Sequence, residues 1–89
     1  MVSYLDGNVL GGALGELFSM EMTSSMAQCA SCGTMGPIGE VRVYPDGPGM
    51  VARCATCDEI VLRLVRGPDR AWLDMRGISC LQLAMPEDA

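Results

Sequence analysis

The sequence predicts a small metal-stabilised α+β domain: an antiparallel β-sheet preceded by a short N-terminal helix. Three observations point there. The chain has 89 residues, enough for one domain whose apolar core alone leaves a thin margin of stability. Four of its five cysteines form two Cys-x-x-Cys pairs, Cys29 with Cys32 and Cys54 with Cys57. Between and after these pairs, short apolar–polar alternations are interrupted by Gly- and Pro-containing turns, which is the pattern of strands in a sheet.

The chain is expected to form a single domain over residues 1–89, with a helix over 6–19. Asp6 suits an N-cap, and Leu10, Leu14, Leu17 and Phe18 recur at spacings of three and four to make one apolar stripe. Gly11, Gly12 and Gly15 lower the intrinsic helix preference by up to about 1 kcal/mol each relative to alanine. The segment Met20–Met26 reads as an extended link. The β region spans 27–77. Cys29-Ala-Ser-Cys32-Gly33 is a first knuckle, with Gly33 placed for a positive φ. Glu40–Tyr44 alternates as a strand, Pro45–Gly49 is a turn, and Met50–Arg53 returns. Cys54-Ala-Thr-Cys57 is the second knuckle. Glu59–Arg66 is a strand with Ile60, Leu62 and Leu64 on its inner face. Gly67-Pro-Asp69 is a turn, and Arg70–Arg76 a strand with Leu73 and Met75 inward and Trp72 outward. Gly77 bends the chain, and 78–86 is an apolar C-terminal strand or tail.

Composition narrows the class. The formal net charge is −5, and all six cations are arginines, none before Arg42. Four thiols losing their protons to a divalent ion would take the net charge to −7. Such a chain repels phosphate backbones over most of its surface, so no nucleic acid is expected as a partner. No apolar run approaches the roughly 20 residues that span a bilayer. The segment Met1–Asp6 has neither a basic stretch nor a long apolar run, so no secretory signal is read and the cytoplasm is expected. An odd cysteine count and paired Cys-x-x-Cys motifs then favour metal chemistry over disulfides.

The pairs are separated by residues 33–53, which is 21 residues, just beyond the usual zinc-site spacing of about 15–20. Two residues between ligands let one turn aim both sulfurs at a single ion, and the intervening hairpin brings the turns together. Cys29, Cys32, Cys54 and Cys57 are therefore the predicted ligands of one Zn2+, a zinc-ribbon-like arrangement. Four sulfurs leave no open position for water or substrate, so the ion is read as structural. Iron in the same tetrahedral site is the alternative, as in a rubredoxin-like electron carrier. Asp58, a carboxylate after the second knuckle, disfavours adding an electron there.

These knuckles, with Tyr4-Leu-Asp-Gly-Asn8, Gly36-Pro37 and Arg70-Ala-Trp-Leu-Asp74, resemble a family of small actinobacterial zinc-ribbon proteins with no assigned activity. The resemblance covers residues 3 to 85. It implies a protein encoded beside a flavin-dependent ferredoxin reductase and a sulfite-oxidase-like molybdenum enzyme, hence an accessory subunit of a redox enzyme or an electron relay.

The remaining features fit a binding module better than an enzyme. There is no histidine, no open metal position and no cysteine–base pair. Leu10, Leu14, Leu17, Phe18, Trp72 and Arg76 are the candidate partner contacts. Trp72 beside arginines has the character of an interface anchor, although covering a sheet edge is the simpler role. Met20, Met22 and Met26 suit packing better than copper(I). Cys80 is expected to be buried as a small apolar residue. The arginines suit a solvated sheet face, paired with Glu40, Glu59, Asp69 and Asp74. The predicted function is a structural zinc ribbon that binds another protein. A one-iron electron carrier and a transcription-associated zinc ribbon are the alternatives.

Overall fold

The fold is given by a computed structural model that describes residues 4–18 and 22–83. Asp6 caps the first turn: its carboxylate accepts a hydrogen bond from the Asn8 backbone N–H at 2.8 Å. The turn is a 3-10 segment, Gly7–Leu10, and it runs into α1 (Gly11–Phe18). The helical segment thus starts tighter than the single helix expected over 6–19, and residue 19 lies outside the described residues. Glycines at 11, 12 and 15 give it little intrinsic preference; its apolar face holds it. Leu10 and Leu14 are 0 and 1% exposed, so both belong to the core and cannot meet a partner. Leu17 and Phe18 project beyond the core and stay outside.

Eight strands occur among the described residues: β1 (Leu5–Asp6), β2 (Met26–Cys29), β3 (Met35–Pro37), β4 (Arg42–Asp46), β5 (Gly49–Arg53), β6 (Ile60–Arg66), β7 (Ala71–Asp74) and β8 (Ile78–Gln82). They form two antiparallel sheets rather than one. The first has the order β1-β4-β5-β6-β7, and the second β3-β2-β8. Strand β4 starts later than expected because Ile38–Glu40 closes a second 3-10 turn before it. The C-terminal strand pairs with β2, not with its neighbour in sequence, joining Ala27 to Leu81 and Gln28 to Cys80. The expected extended link over Met20–Met26 is a turn where it is described: Ser25 N–H donates to the Met22 carbonyl at 3.0 Å, and β2 begins at Met26; residues 20 and 21 lie outside the described residues.

Two bulges redirect side chains against the simple alternation. Between Ala52 and Arg53 the register slips, so Ala52 faces Leu62 and Arg53 faces Ile60. Val61 is the extra residue. Val61 and Leu62 are then both buried and Ile60 is 39% exposed, which overturns its expected inner position. A second slip between Gln28 and Cys29 omits Ser79. It turns Ile78 and Leu81 toward the core and leaves Cys80 exposed, against the expected burial.

One apolar core joins α1 and both sheets. It includes Leu10, Leu14, Met22, Ile38, Val43, Ala52, Leu62 and Leu64, with Leu73 and Met75 packed against it. Met22 is thus a core residue. Gly77 does more than bend the chain: a Cβ there would overlap the Ile60 carbonyl oxygen and the Val61 Cα, so it lets β8 start against the β6 backbone. The radius of gyration is 12.8 Å, close to the roughly 12 Å of a compact chain of this length.

Candidate metal centre

Each cysteine pair sits on the turn of a hairpin, and the two turns are built alike. In the first, Gly33 N–H donates to the Cys29 carbonyl at 2.9 Å and Cys29 N–H to the Thr34 carbonyl at 3.0 Å. In the second, Asp58 N–H donates to the Cys54 carbonyl at 2.9 Å and Cys54 N–H to the Glu59 carbonyl at 2.8 Å. The residue after the second cysteine must take a left-handed conformation in both. Gly33 has φ 79° and Asp58 φ 67°. Glycine does this freely, and aspartate is among the few side chains that visit the region.

Backbone N–H groups also reach the sulfurs. Ser31 N–H lies 3.4 Å from Cys29 Sγ, and Thr56 N–H 3.3 Å from Cys54 Sγ. A tetrahedral ion with metal–sulfur bonds of about 2.3 Å needs sulfurs about 3.8 Å apart. Cys29 Sγ and Cys57 Sγ are 3.7 Å apart, and Cys32 Sγ and Cys54 Sγ 3.8 Å apart. All four Sγ atoms lie within 4.8 Å of one another. These separations are far beyond the roughly 2.05 Å of a disulfide, and all the cysteines are free. Four soft donors at tetrahedral separations can hold a metal ion. Cys29 and Cys54 are buried, Cys57 half-buried and Cys32 exposed, so the site reaches the surface on one side.

The electrostatics favour a cation at the centre. Thr34 holds the Cys32 thiol down to about 6, through its hydroxyl 3.2 Å from the sulfur and its backbone N–H. Burial raises the Cys54 thiol, but the backbone N–H groups of Cys57 and Thr56 outweigh it and leave the thiol below its ordinary value. The Glu59 N–H pulls the Cys57 thiol down. Burial and the sulfurs of Cys29, Cys32 and Cys54 overcome that pull and push it up to about 12. The last proton thus resists leaving while the neighbouring sulfurs are uncompensated, and a bound cation would remove that resistance.

The four predicted ligands come together. Thr34 and the two N–H···S contacts are absent from the sequence reading, because backbone donors carry no residue signature. Of the other candidates, Trp72 is 56% exposed on β7, with Leu73 and Met75 turned inward as expected. Arg76 holds Asp74 at 2.6 Å. Arg70 pairs with Asp69, whereas Arg66 reaches Glu16 on α1, a pairing between distant residues. No helix among the described residues is long and apolar enough to cross a membrane.

Fold and site together define a small β-rich domain, with one short helix and a four-cysteine cluster able to hold a metal ion. The chain belongs to a family of unknown function (DUF6510), whose model matches residues 1–86. Neither a curated protein nor a solved structure matches it.

Proposed function

We propose that the protein is a non-catalytic structural zinc-ribbon module that binds another protein, as an accessory subunit of a cytoplasmic redox enzyme. The observation that carries the reading is the set of four sulfurs, two from each hairpin, all within 4.8 Å of one another, with two cross-hairpin pairs at the separation that a tetrahedral ion needs. Four thiolates fill the coordination of zinc and leave no position for a substrate. A chain without histidine has few other routes to acid–base chemistry. Leu17, Phe18 and Trp72, large and exposed, supply apolar contact for a partner.

The N–H···S contacts at Cys29 and Cys54 favour one second reading, a one-iron electron carrier, because hydrogen bonds to the sulfurs stabilise the extra negative charge of a reduced site. Metal analysis after anaerobic purification separates the two. A colourless protein with one zinc per chain is expected. A red protein with one iron and a reversible visible spectrum would overturn the zinc reading in favour of electron transfer.

A further inference from the structure

The outward face of the five-stranded sheet gathers residues that the metal site does not use. Val43 is buried, so its neighbours Arg42 and Tyr44 point away from the core. Cross-strand pairing then places Arg53 beside Arg42, Val51 beside Tyr44 and Arg63 beside Val51. Tyr4 joins them from the strand end, its ring centroid 6.0 Å from that of Tyr44. Trp72 lies on the same face further along, opposite Val65. Three of the chain's four aromatics therefore share this surface.

The cations divide in the same way. Arg66, Arg70 and Arg76 each hold a carboxylate. Among the described residues, Arg42, Arg53 and Arg63 form no ion pair and all three lie on this face, although Arg63 stands opposite Asp74, the carboxylate that Arg76 holds. Two lie over tyrosine rings at cation–π distance. The Arg42 guanidinium sits 5.2 Å over the Tyr4 ring, and that of Arg53 5.9 Å over the Tyr44 ring. Arg53 Nη1 also donates to the Asp58 carbonyl at 2.9 Å. A guanidinium held at a ring by cation–π attraction keeps N–H groups for a carboxylate, which its fork can match; in Arg53 one of them is taken by the Asp58 carbonyl. Arg53 and Arg63 line an open groove of about 550 Å³ with the exposed Ile60, and Arg42 lies beside Arg53 at its edge.

We propose that this face docks a segment of a partner protein that presents spaced carboxylates to Arg42, Arg53 and Arg63 and an apolar side chain to Ile60. The proposal rests on the protein-binding reading above and gives that reading a surface and a chemistry. Arginines beside tyrosines are the residue types that dominate interface energetics. A continuous polyanion fits less well. Asp46 and Asp58 border the groove and repel any anion set against them, so only carboxylates spaced to meet the arginines fit, whereas the fixed phosphate spacing of a polyanion on a chain of net charge −5 does not avoid them.

The test is selection of short random peptides on the full-length, metal-loaded protein, with the bound site mapped by amide chemical shifts. Selected peptides should carry aspartate or glutamate near an aliphatic residue, and shifts should centre on Arg42, Tyr44, Arg53 and Arg63. Arg53→Gln should weaken binding by about tenfold or more, and Arg53→Lys should weaken it too, since charge alone does not restore the fork. Both variants should keep the wild-type metal content and circular dichroism. Selected peptides that map to another face would overturn this surface and leave the protein-binding reading standing. Selection of no peptide at all would overturn both. Tighter binding of oligothymidylate than of any selected peptide at this face, or self-association through it, would also overturn the proposal.

Discussion

Replacing Cys54 with serine tests whether the metal holds the fold. Cys54 is 7% exposed, its sulfur is 3.8 Å from that of Cys32, and it belongs to the hairpin of the larger sheet. A serine hydroxyl stays protonated near neutral pH and is a poor ligand for a soft site, so three thiolates remain. A domain of 89 residues has a net stability of about 4–13 kcal/mol. A structural zinc supplies about 10–16 kcal/mol of apparent binding energy to a small domain, and that energy appears as folding energy. A zinc ion in this site would thus contribute as much as the whole, and losing much of that contribution would bring the fold to its limit. The measurement is thermal unfolding followed by near-ultraviolet circular dichroism, to which the Tyr4–Tyr44 ring pair should contribute. Cys54→Ser should lose the cooperative transition, and wild-type protein stripped by a strong chelator should behave alike. A variant that melts cooperatively within a few degrees of wild type, or a metal-free wild type that keeps its tertiary signal, would refute the reasoning.

Other perturbations have separate outcomes. Gly77→Ala forces a methyl into the Ile60 carbonyl and Val61 Cα; it should destabilise by about 1–3 kcal/mol, read from denaturant midpoints of the metal-loaded protein. Cys80→Ser changes an exposed thiol outside the cluster, so stability should stay within about 0.5 kcal/mol, with metal content unchanged. The Arg76 side chain and backbone N–H hold the Asp74 carboxyl at about 2, below its ordinary 3.8. Because the folded value is the lower, the contribution of this pair is complete above about pH 4 and is lost as pH falls toward 2. A carboxyl NMR titration should show this, and Arg76→Gln should return Asp74 toward its ordinary value.

The site was legible because its information is local. Two residues between ligands, Gly33 at a left-handed position and Asp6 at a cap are all readable within a few positions of sequence. Strands β4 to β7 were legible as alternations bounded by turns, with ends displaced by a residue or two. The division into two sheets was not, since the pairing of β8 with β2 joins segments some fifty residues apart, and no local pattern encodes it. The bulge at Val61 hid the placement of Ile60, since one extra residue reverses a period of two from that point on; Cys80 was expected inside only because free cysteine commonly behaves as a small apolar residue, and its place in β8 leaves it exposed. Leu10 and Leu14 were read as part of a stripe whose covering surface, the second 3-10 turn and the sheets, only the tertiary fold supplies.

The two matched knuckles also bear on how the chain folds. Each closes a local hairpin, and local closures form fast. Each hairpin carries two thiols, so an ion can be captured by one hairpin and carried to the other. The residues between Cys32 and Cys54 then become a closed loop whose ends the ion holds. The entropy of that closure is overcome when the second pair of sulfurs displaces the remaining ligands. The folding rate of such a chain should depend on free metal concentration, and its slowest step should be ligand exchange at the ion rather than formation of either sheet.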